Sequence, residues 1–325
     1  MRAKIIGTGS YVPSKSIANA DLERLIDTSD EWIQERTGIK TRHVASSGEG
    51  SSSLGIKAAR SALESSGLIA EDLDLIIVAT CTPDMPFPST ACLIQAALGA
   101  SKAAAFDVSA ACSGFLFILS IADHYIRSKT YHNVLVVGTE VMSSVTDWSD
   151  RTTCILFGDA AGAAVLQATT DEKGILSNHL HSDGKQWDLI CVPGGGSKQP
   201  LSESVLNERL NFVKMRGSAT FKLAVRLMEQ SVHEVLTTNN LKVDDIDLFI
   251  PHQANSRIIA ATAERLQLPL DKVVMNISKY GNTSAASIPL ALDEMVKGKK
   301  IIDGSNVLLA AFGSGLTWAS TLIRW

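Results

Sequence analysis

An excess of charge of one sign, a metal-binding cysteine spacing and a membrane-length apolar run are all missing from this 325-residue sequence. Each gap removes a class of function. Lysine and arginine total 30 against 34 acidic residues, a net charge of −4, so no basic field covers the chain. Nucleic-acid binding is thereby excluded as its main task, and an acidic partner would need a local basic patch. Proline (9) and glycine (23) are too few for a low-complexity chain, and 20% charged against 45% hydrophobic residues excludes global disorder. The five cysteines (Cys81, Cys92, Cys112, Cys154 and Cys191) are odd in number, irregularly spaced and without a C-x-x-C pair. Neither a zinc site nor a disulfide framework is expected, and a reducing cytoplasm is. The longest mostly apolar stretch, residues 110–122, is interrupted by Ser113 and Gly114 and stopped by Asp123. It is too short to cross a membrane and suits a buried helix. The opening MRAKIIGTGS reaches Gly7-Thr8-Gly9 before an apolar region can develop, so no signal peptide is expected.

Familiar catalytic motifs are missing too. There is no G-x-x-x-x-G-K-[ST], Gly7-Thr8-Gly9 lacks the third glycine of a dinucleotide fingerprint, and His233-Glu234 has no second histidine for H-E-x-x-H. No G-x-S-x-G elbow occurs.

What is present is a repeat. LDLIIVAT (73–80) matches IDLFIPHQ (246–253), and each is followed by an Ala-rich segment of helical period, at 89–98 and 254–266. AFDVSAACSGF (105–115) matches VMNISKYGNTSAA (274–286), each read as a short strand, a sharp corner and the start of an amphipathic helix. NVLVVGTE (133–140) matches NVLLAAFG (306–313), and LFGDAAGAAVL (156–166) matches AFGSGLTWAST (311–321). Strands alternating with helices imply parallel sheets covered by helices, so the expectation is an α/β protein of two pseudo-symmetric halves, about 1–172 and 173–325. Ligands in open α/β sheets gather at carboxyl ends of strands, which the symmetry brings together at the centre. Two segments, 141–154 and 194–216, have no counterpart in the other half, and long insertions of this kind usually carry function.

Three residues at the matched corners carry chemistry. Cys112 stands at the start of the helix that follows the first corner, where peptide dipoles and free amides can pull a thiol pKa into the ~3.5–7.5 range. A plain core cysteine is the competing explanation. His252 ends an apolar strand in Pro251-His252-Gln253, which suits a site as well as it suits a satisfied histidine. Asn282 follows Gly281 and alone would read as a turn or cap residue. Together the three form an acyl-transfer kit of nucleophile and neutral donors. Gly313-Ser314-Gly315 occupies a further matching turn, where a main-chain N–H could face an oxyanion or simply make a tight turn.

At these residues the sequence resembles the β-ketoacyl-[acyl carrier protein] synthase III family of thiolase-fold condensing enzymes. The likeness runs through IIGTGSYVP (5–13), DTSDEWIQERTGI (27–39), AFDVSAACSGF, FGDAAGAAVL (157–166), PHQANSRII (251–259) and YGNTSAAS (280–287). It implies a layered α-β-α-β-α body, a cytoplasmic homodimer and no cofactor beyond the CoA thioester substrate. Cys112 would accept an acyl group, typically acetyl, from acyl-CoA. His252 and Asn282 would stabilise the enolate formed when malonyl-acyl carrier protein loses CO2. The amides of Cys112 and Ser314 would hold the acyl oxyanion, although the family commonly has glycine at position 314. Thr28, Trp32, Arg36 and Arg151 match the CoA nucleotide site, with Trp32 and Arg151 flanking the adenine. Phe221, Ala254 and Asn255 match its pantetheine tunnel. Thr28-x-x-Glu31 also reads as a capping box and Gly38 as a helix stop. Phe87 matches a residue that reaches the acyl pocket of the partner subunit. Lys222, Gln253, Ala254, Asn255, Ser256, Arg257 and Arg265 match carrier-protein docking positions, whereas Glu264 stands where a basic residue is common. Two other readings are a related condensing enzyme of secondary metabolism and a non-catalytic dimeric scaffold.

Overall fold

The computed structural model describes residues 1–325 and is built on two large sheets in five alternating layers with helices, with two short two-stranded ribbons (Ser16–Ala18 with Thr41–His43, Ile190–Cys191 with Lys214–Met215) beside them. The first sheet contains β1 (Arg2–Tyr11), β2 (Leu75–Ala79), β3 (Ala104–Val108), β4 (Asn133–Val141) and β5 (Asp159–Thr169), in the order β1-β5-β4-β2-β3. The second contains β6 (Gly174–Ser182), β7 (Leu248–Pro251), β8 (Asn306–Gly313) and β9 (Thr317–Arg324), in the order β7-β8-β9-β6. Strand β2 reads LIIVA and is buried at every position, as a strand covered on both faces must be.

Between the sheets lie α4 (Gly114–Arg127) and α7 (Ser287–Lys297). Phe115 and Leu119 of α4 and Ile288 and Leu292 of α7 share one core with Ile77 and Val136 from the first sheet and Leu309 and Ala319 from the second. The neighbouring residues Ile76 and Val137 point the other way, toward Leu54 and Ala58 of α2 (Ser51–Ser66) and Ile94 of α3 (Thr90–Leu98). This period of two is what allows one strand to serve two helix layers. On the far side, Val225 of α5 (Gly217–Thr238) and Ile259 of α6 (Ser256–Leu266) cover Phe249, Leu308 and Leu322. The remaining long element of the site region is α1 (Asp30–Thr37).

Two expectations change. The sheets are mixed: β2 pairs in parallel with β3 and β4, and β7 with β8, but β5 and β9 run antiparallel to their neighbours. β8 reaches β9 through a tight turn at residues 314–316, and a reversal of this kind needs no crossover helix. The short strand expected at the start of 274–286 is reduced to a single parallel bridge between Phe249 and Val273, followed by a short helix at Ile277–Tyr280. The two unmatched insertions meet each other. Arg209 grips Asp147 through two hydrogen bonds of 2.6 and 2.5 Å, and Val213 N–H donates to Val145 O at 2.8 Å. That guanidinium holds the Asp147 carboxyl far below the usual carboxylate range.

Candidate active site

Past β3 the chain turns sharply at Ala111, whose φ of 45° is left-handed, and makes a single 3-10 turn (Ala111–Ser113) before α4 begins. Cys112 sits on that turn, half-buried. The end of β8 lies directly against it. A Cβ on Gly313 would fall 2.7 Å from Cys112 N and 3.1 Å from its Cβ, so only glycine allows this approach. Ser113 Oγ donates to Thr317 O at 3.0 Å, and the Thr317 hydroxyl lies 3.0 Å from Ala110 O, which ties the two turns together. Ser314 Oγ donates to Ile190 O. The backbone N–H groups of Cys112 and Ser314 are both left without a carbonyl acceptor. Two free donors at one thiol are the arrangement an oxyanion needs.

The thiol does not have the low pKa expected of a helix start. Burial pushes it up to about 11, a hydrogen bond from Ser284 pulls the other way, and the Glu140 carboxylate raises it further. No cation faces the sulfur to offset its desolvation, so the helix terminus is outweighed.

His252 continues the β7–β8 ladder, its N–H donating to Ala310 O at 2.8 Å, and the ring is buried. Its Nδ1 lies 2.6 Å from Ser287 Oγ, at the first residue of α7. That oxygen also accepts from Gln253 N–H at 3.4 Å, so the serine proton points to Nδ1 and the imidazole carries its own proton on Nε2. Burial lowers the His252 pKa to about 3. The ring is therefore neutral at any working pH, and Nε2 is a donor throughout. Activity should then show no acid limb near the ordinary histidine value of 6.5, and a pH–rate profile for malonyl decarboxylation between pH 5 and 8 checks this. With the folded pKa depressed, the contribution of His252 to stability is complete above about 6.5 and is lost as pH falls toward 3.

Asn282 is nearly buried, and its backbone is pinned by hydrogen bonds to Leu156 O at 2.8 Å and from Gly158 N–H at 3.1 Å. Ser284 N–H donates to Asn282 Oδ1 at 2.9 Å, which fixes the carboxamide so that Nδ2 is the outward donor. Neither Nδ2 nor His252 Nε2 is a sealed orphan. The Cys112 turn packs against the Ser284–Ala286 turn, and Ser287 holds His252 one residue further on. The three candidate residues thus converge on residues 282–287. The symmetry is offset, however. The 3-10 turns Ala111–Ser113 and Ser284–Ala286 are equivalent, so Cys112 matches Ala285 while Asn282 precedes its turn.

Around Trp32, Arg151 lies 4.7 Å and Arg36 5.4 Å from the indole centroid. A base held between Trp32 and Arg151 needs roughly 7 Å, two van der Waals contacts, so the guanidinium must swing outward to admit one. Ser29, not Thr28, caps α1, accepting from Trp32 N–H at 3.2 Å. Gly38 does end the helix, with φ 74°. The consequence of the shifted cap is that Thr28 Oγ1 is buried without a partner. Asn255 caps α6 through Arg257 N–H at 2.9 Å and also donates to Arg36 O at 2.9 Å, joining α6 to α1. Arg257 stacks over Phe221 at 5.6 Å.

One docking expectation is corrected. Gln253 is 1% exposed, and its amide donates to Pro251 O (2.9 Å) and Val274 O (3.0 Å) while accepting from Asn276 N–H (2.9 Å). It has neither surface nor free donors for a partner. Lys222 and Arg257 are exposed, Ala254 and Ser256 are partly so, and Arg265 is exposed but paired with Glu229 at 2.6 Å. Phe87 is 84% exposed on a loop beside Met85. No group of three or more His, Cys, Asp or Glu side chains is placed to hold a metal ion, and no helix is long and apolar enough to cross a membrane. Sequence reasoning missed Glu140, Ser284 and Ser287, which lie behind the three candidates.

A doubled sheet-and-helix body with its chemistry on the turns between the halves is the architecture of the thiolase-like condensing enzymes. Family profiles described as 3-oxoacyl-[acyl-carrier-protein] synthase III and as its C-terminal part match residues 106–184 and 236–325. The chain is 51% identical over 323 residues to the β-ketoacyl-[acyl-carrier-protein] synthase III of Caldanaerobacter subterraneus, covering 99% of this chain and 98% of that protein. It is 52% identical to the enzyme of the same name from Methylococcus capsulatus, covering 99% of each. The crystal structure of 3-oxoacyl-[acyl-carrier-protein] synthase III from Aquifex aeolicus superimposes with a TM-score of 0.92 at 47% identity, over 99% of this chain and 100% of the other. The priming β-ketosynthase of the R1128 polyketide pathway also gives 0.92, at 35% identity over 99% and 96%. The chain belongs to the 3-oxoacyl-[acyl-carrier-protein] synthase III family.

Proposed function

We propose that this chain catalyses the initiating condensation of fatty acid synthesis. An acyl-CoA primer, acetyl-CoA in the first instance, and malonyl-acyl carrier protein give 3-oxoacyl-acyl carrier protein, CO2 and CoA. The observation that carries the reading is the set of unengaged donors around one thiol: the backbone N–H groups of Cys112 and Ser314 and, beside the adjoining turn, the side-chain Nε2 of His252 and Nδ2 of Asn282. Cys112 Sγ attacks the primer carbonyl, and the two amides hold the oxyanion until the CoA sulfur leaves. Malonyl thioester then binds with its carbonyl oxygen on His252 Nε2 and Asn282 Nδ2. These neutral donors stabilise the enolate as CO2 departs, and its carbon attacks the Cys112 thioester.

The nucleotide of CoA would stack on Trp32 with Arg151 above it and Arg36 near the phosphates, and the unpartnered hydroxyl of Thr28 supports that placement. Phe221, Ala254 and Asn255 would line the pantetheine path. Lys222, Ser256 and Arg257 would receive the acidic carrier protein, with Arg226 one turn beyond Lys222 as a further exposed cation. The exposed Phe87 favours a homodimer in which it enters the partner's acyl pocket. We place the repeat units at 1–172 and 173–325, the reaction without a cofactor beyond CoA thioester, and the protein in the cytoplasm.

The higher identity to the fatty-acid enzymes, 51% against 35% for the polyketide priming enzyme, favours primary metabolism. Radiolabelled acetyl-CoA tests the proposal. Label on Cys112 that chases into 3-oxobutyryl-carrier protein on adding malonyl-carrier protein supports it. No label with any acyl-CoA sinks it in favour of a scaffold, and label that chases only with other extenders points to secondary metabolism.

A further inference from the structure

Between the two turns that carry the acyl-oxyanion donors stands a hydroxyl with no part in the reaction described so far. Thr317 opens β9, paired in register with Gly313, the last residue of β8. Its Oγ1 lies 3.0 Å from Ala110 O and 3.1 Å from Ser314 O. Both neighbours are carbonyl oxygens and can only accept, so the hydroxyl is the donor and its one proton is shared between them. The main chain of Thr317 is tied to the same place, its carbonyl accepting from Ser113 Oγ at 3.0 Å.

The position of the two carbonyls gives the contact its meaning. Ala110 O also accepts Ser113 N–H at 3.2 Å, the bond that closes the 3-10 turn Ala111–Ser113 around Cys112. Ala110 C=O and the free Cys112 N–H are separated by a single α-carbon, that of Ala111. Ser314 C=O and the free Ser314 N–H are likewise separated by one, that of Ser314 itself. Peptide units are planar, so a carbonyl held in place leaves the neighbouring amide only the rotations at that α-carbon. At Ala111 those are narrow, because its φ of 45° lies in the small left-handed region open to alanine. At Ser314 the side chain supplies the further constraint, its Oγ donating to Ile190 O. Leu316, at the end of the same turn, exchanges backbone bonds of 2.9 and 3.0 Å with Asp183. One hydroxyl thus sets the separation and relative aim of two amides that come from distant stretches of the chain.

We propose that Thr317 is the positioning residue of the oxyanion pair. By bridging Ala110 O and Ser314 O, its hydroxyl holds the N–H groups of Cys112 and Ser314 on one point, where the oxygen of the tetrahedral intermediate forms. The inference rests on acyl transfer at Cys112 as described above. Thr317 acts through the two turns, and no proton moves through it. Its effect is confined to steps in which negative charge grows on the acyl oxygen: formation of the Cys112 thioester and attack on it by the enolate. Malonyl decarboxylation, whose enolate oxygen rests on His252 and Asn282, does not draw on it. An oxyanion is served only by donors within about 2.7–3.1 Å of the place it will occupy, so a small drift of either turn is felt in the rate.

Thr317→Val and Thr317→Ser provide the test. Valine keeps the branched shape on β9 and has no proton to share, whereas serine keeps the hydroxyl. The readouts are single-turnover acetylation of Cys112 across acetyl-CoA concentrations, alkylation of Cys112 by iodoacetamide, and CO2 release from malonyl-carrier protein. Alkylation is the deciding control, because displacement of iodide uses the same sulfur and builds no oxyanion. In Thr317→Val the saturating rate of acetylation should fall about 10²-fold, the cost of a 1 Å misplacement. The half-saturating acetyl-CoA concentration, alkylation and CO2 release should all stay within threefold of wild type. Thr317→Ser should restore acetylation to within threefold. A merely structural role would slow acetylation and alkylation together, and that result overturns the proposal. So does a valine variant that acetylates within threefold of wild type, or a serine variant no better than the valine one. Should Thr317→Val fail to fold, Thr317→Ala carries the same readouts, and failure of both marks the hydroxyl as structural and overturns the proposal too. Wild-type protein that takes up no acetyl group would instead refute the function proposed above, and this positioning role with it.

Discussion

Exchanging Cys112 for alanine should abolish condensation and leave malonyl decarboxylation running. The two half-reactions use different atoms. Acyl transfer needs the sulfur, whereas decarboxylation draws on His252 Nε2 and Asn282 Nδ2, which are held by Ser287 and Ser284 and owe nothing to the thiol. Alanine removes one atom from a 3-10 turn whose geometry is set elsewhere, by the left-handed Ala111, by the close approach of Gly313 and by the Ser113–Thr317 bond. The fold should therefore be unaffected. Loss of the covalent nucleophile costs on the order of 10⁶ in rate where it has been measured in other enzymes, so no 3-oxoacyl product should be detectable. Release of labelled CO2 from malonyl-carrier protein, followed beside product formation, reads both activities at once. Product at more than a thousandth of the wild-type rate would mean that another group accepts the acyl chain, with Cys81 the nearest thiol.

Much of this was legible in the sequence because the chain states its architecture twice. LDLIIVAT and IDLFIPHQ become the equivalent strands β2 and β7, and the matched corners become equivalent 3-10 turns. A repeat constrains topology in a way that single-segment propensity does not, because a wrong reading would have to be wrong in both copies. Strand direction was less visible. Apolar periodicity is the same for parallel and antiparallel neighbours, and only the connection between strands settles the matter. The thiol pKa was misjudged for a related reason: a helix start is written in the sequence, but the loss of water around a sulfur is a property of the folded interior. Thr28 lost its cap to Ser29 because both are good caps and one hydrogen bond decides between them. Gln253 looked like part of a polar cluster at a strand end, but its amide closes the bend from Pro251 to Ile277 from within. Glu140 did leave a signal. It is the one charge in the strand NVLVVGTEV, and β4 is buried from Val134 onward. A buried ionisable group needs partners, and Thr80, Thr82 and the Cys81 amide of its own half supply them together with Ser284 of the other.

Removing either donor of the second pair should give the converse result. His252→Ala or Asn282→Ala should lower decarboxylation by about 10² to 10³, the cost of losing one preorganised donor to a developing oxyanion. Acetylation of Cys112 should persist in both, since the amides of Cys112 and Ser314 belong to other turns and remain free. The two variants need not behave alike structurally. His252 is 2% exposed and carries the Ser287 bond, so its removal leaves a hydroxyl without its acceptor at the start of α7. Asn282 has its backbone tied to Leu156 and Gly158, and alanine there loses only the Ser284 N–H contact. Asn282→Ala is therefore the cleaner probe, and the double variant should be little worse than the worse single one if both donors bind one oxygen. Acetylated protein isolated from each variant and mixed with malonyl-carrier protein should hold its label without releasing CO2. An Asn282 variant that lost acetylation and still decarboxylated would reverse the two donor pairs, placing the acyl oxyanion on the 282–287 turn and the malonyl oxygen at Gly313-Ser314.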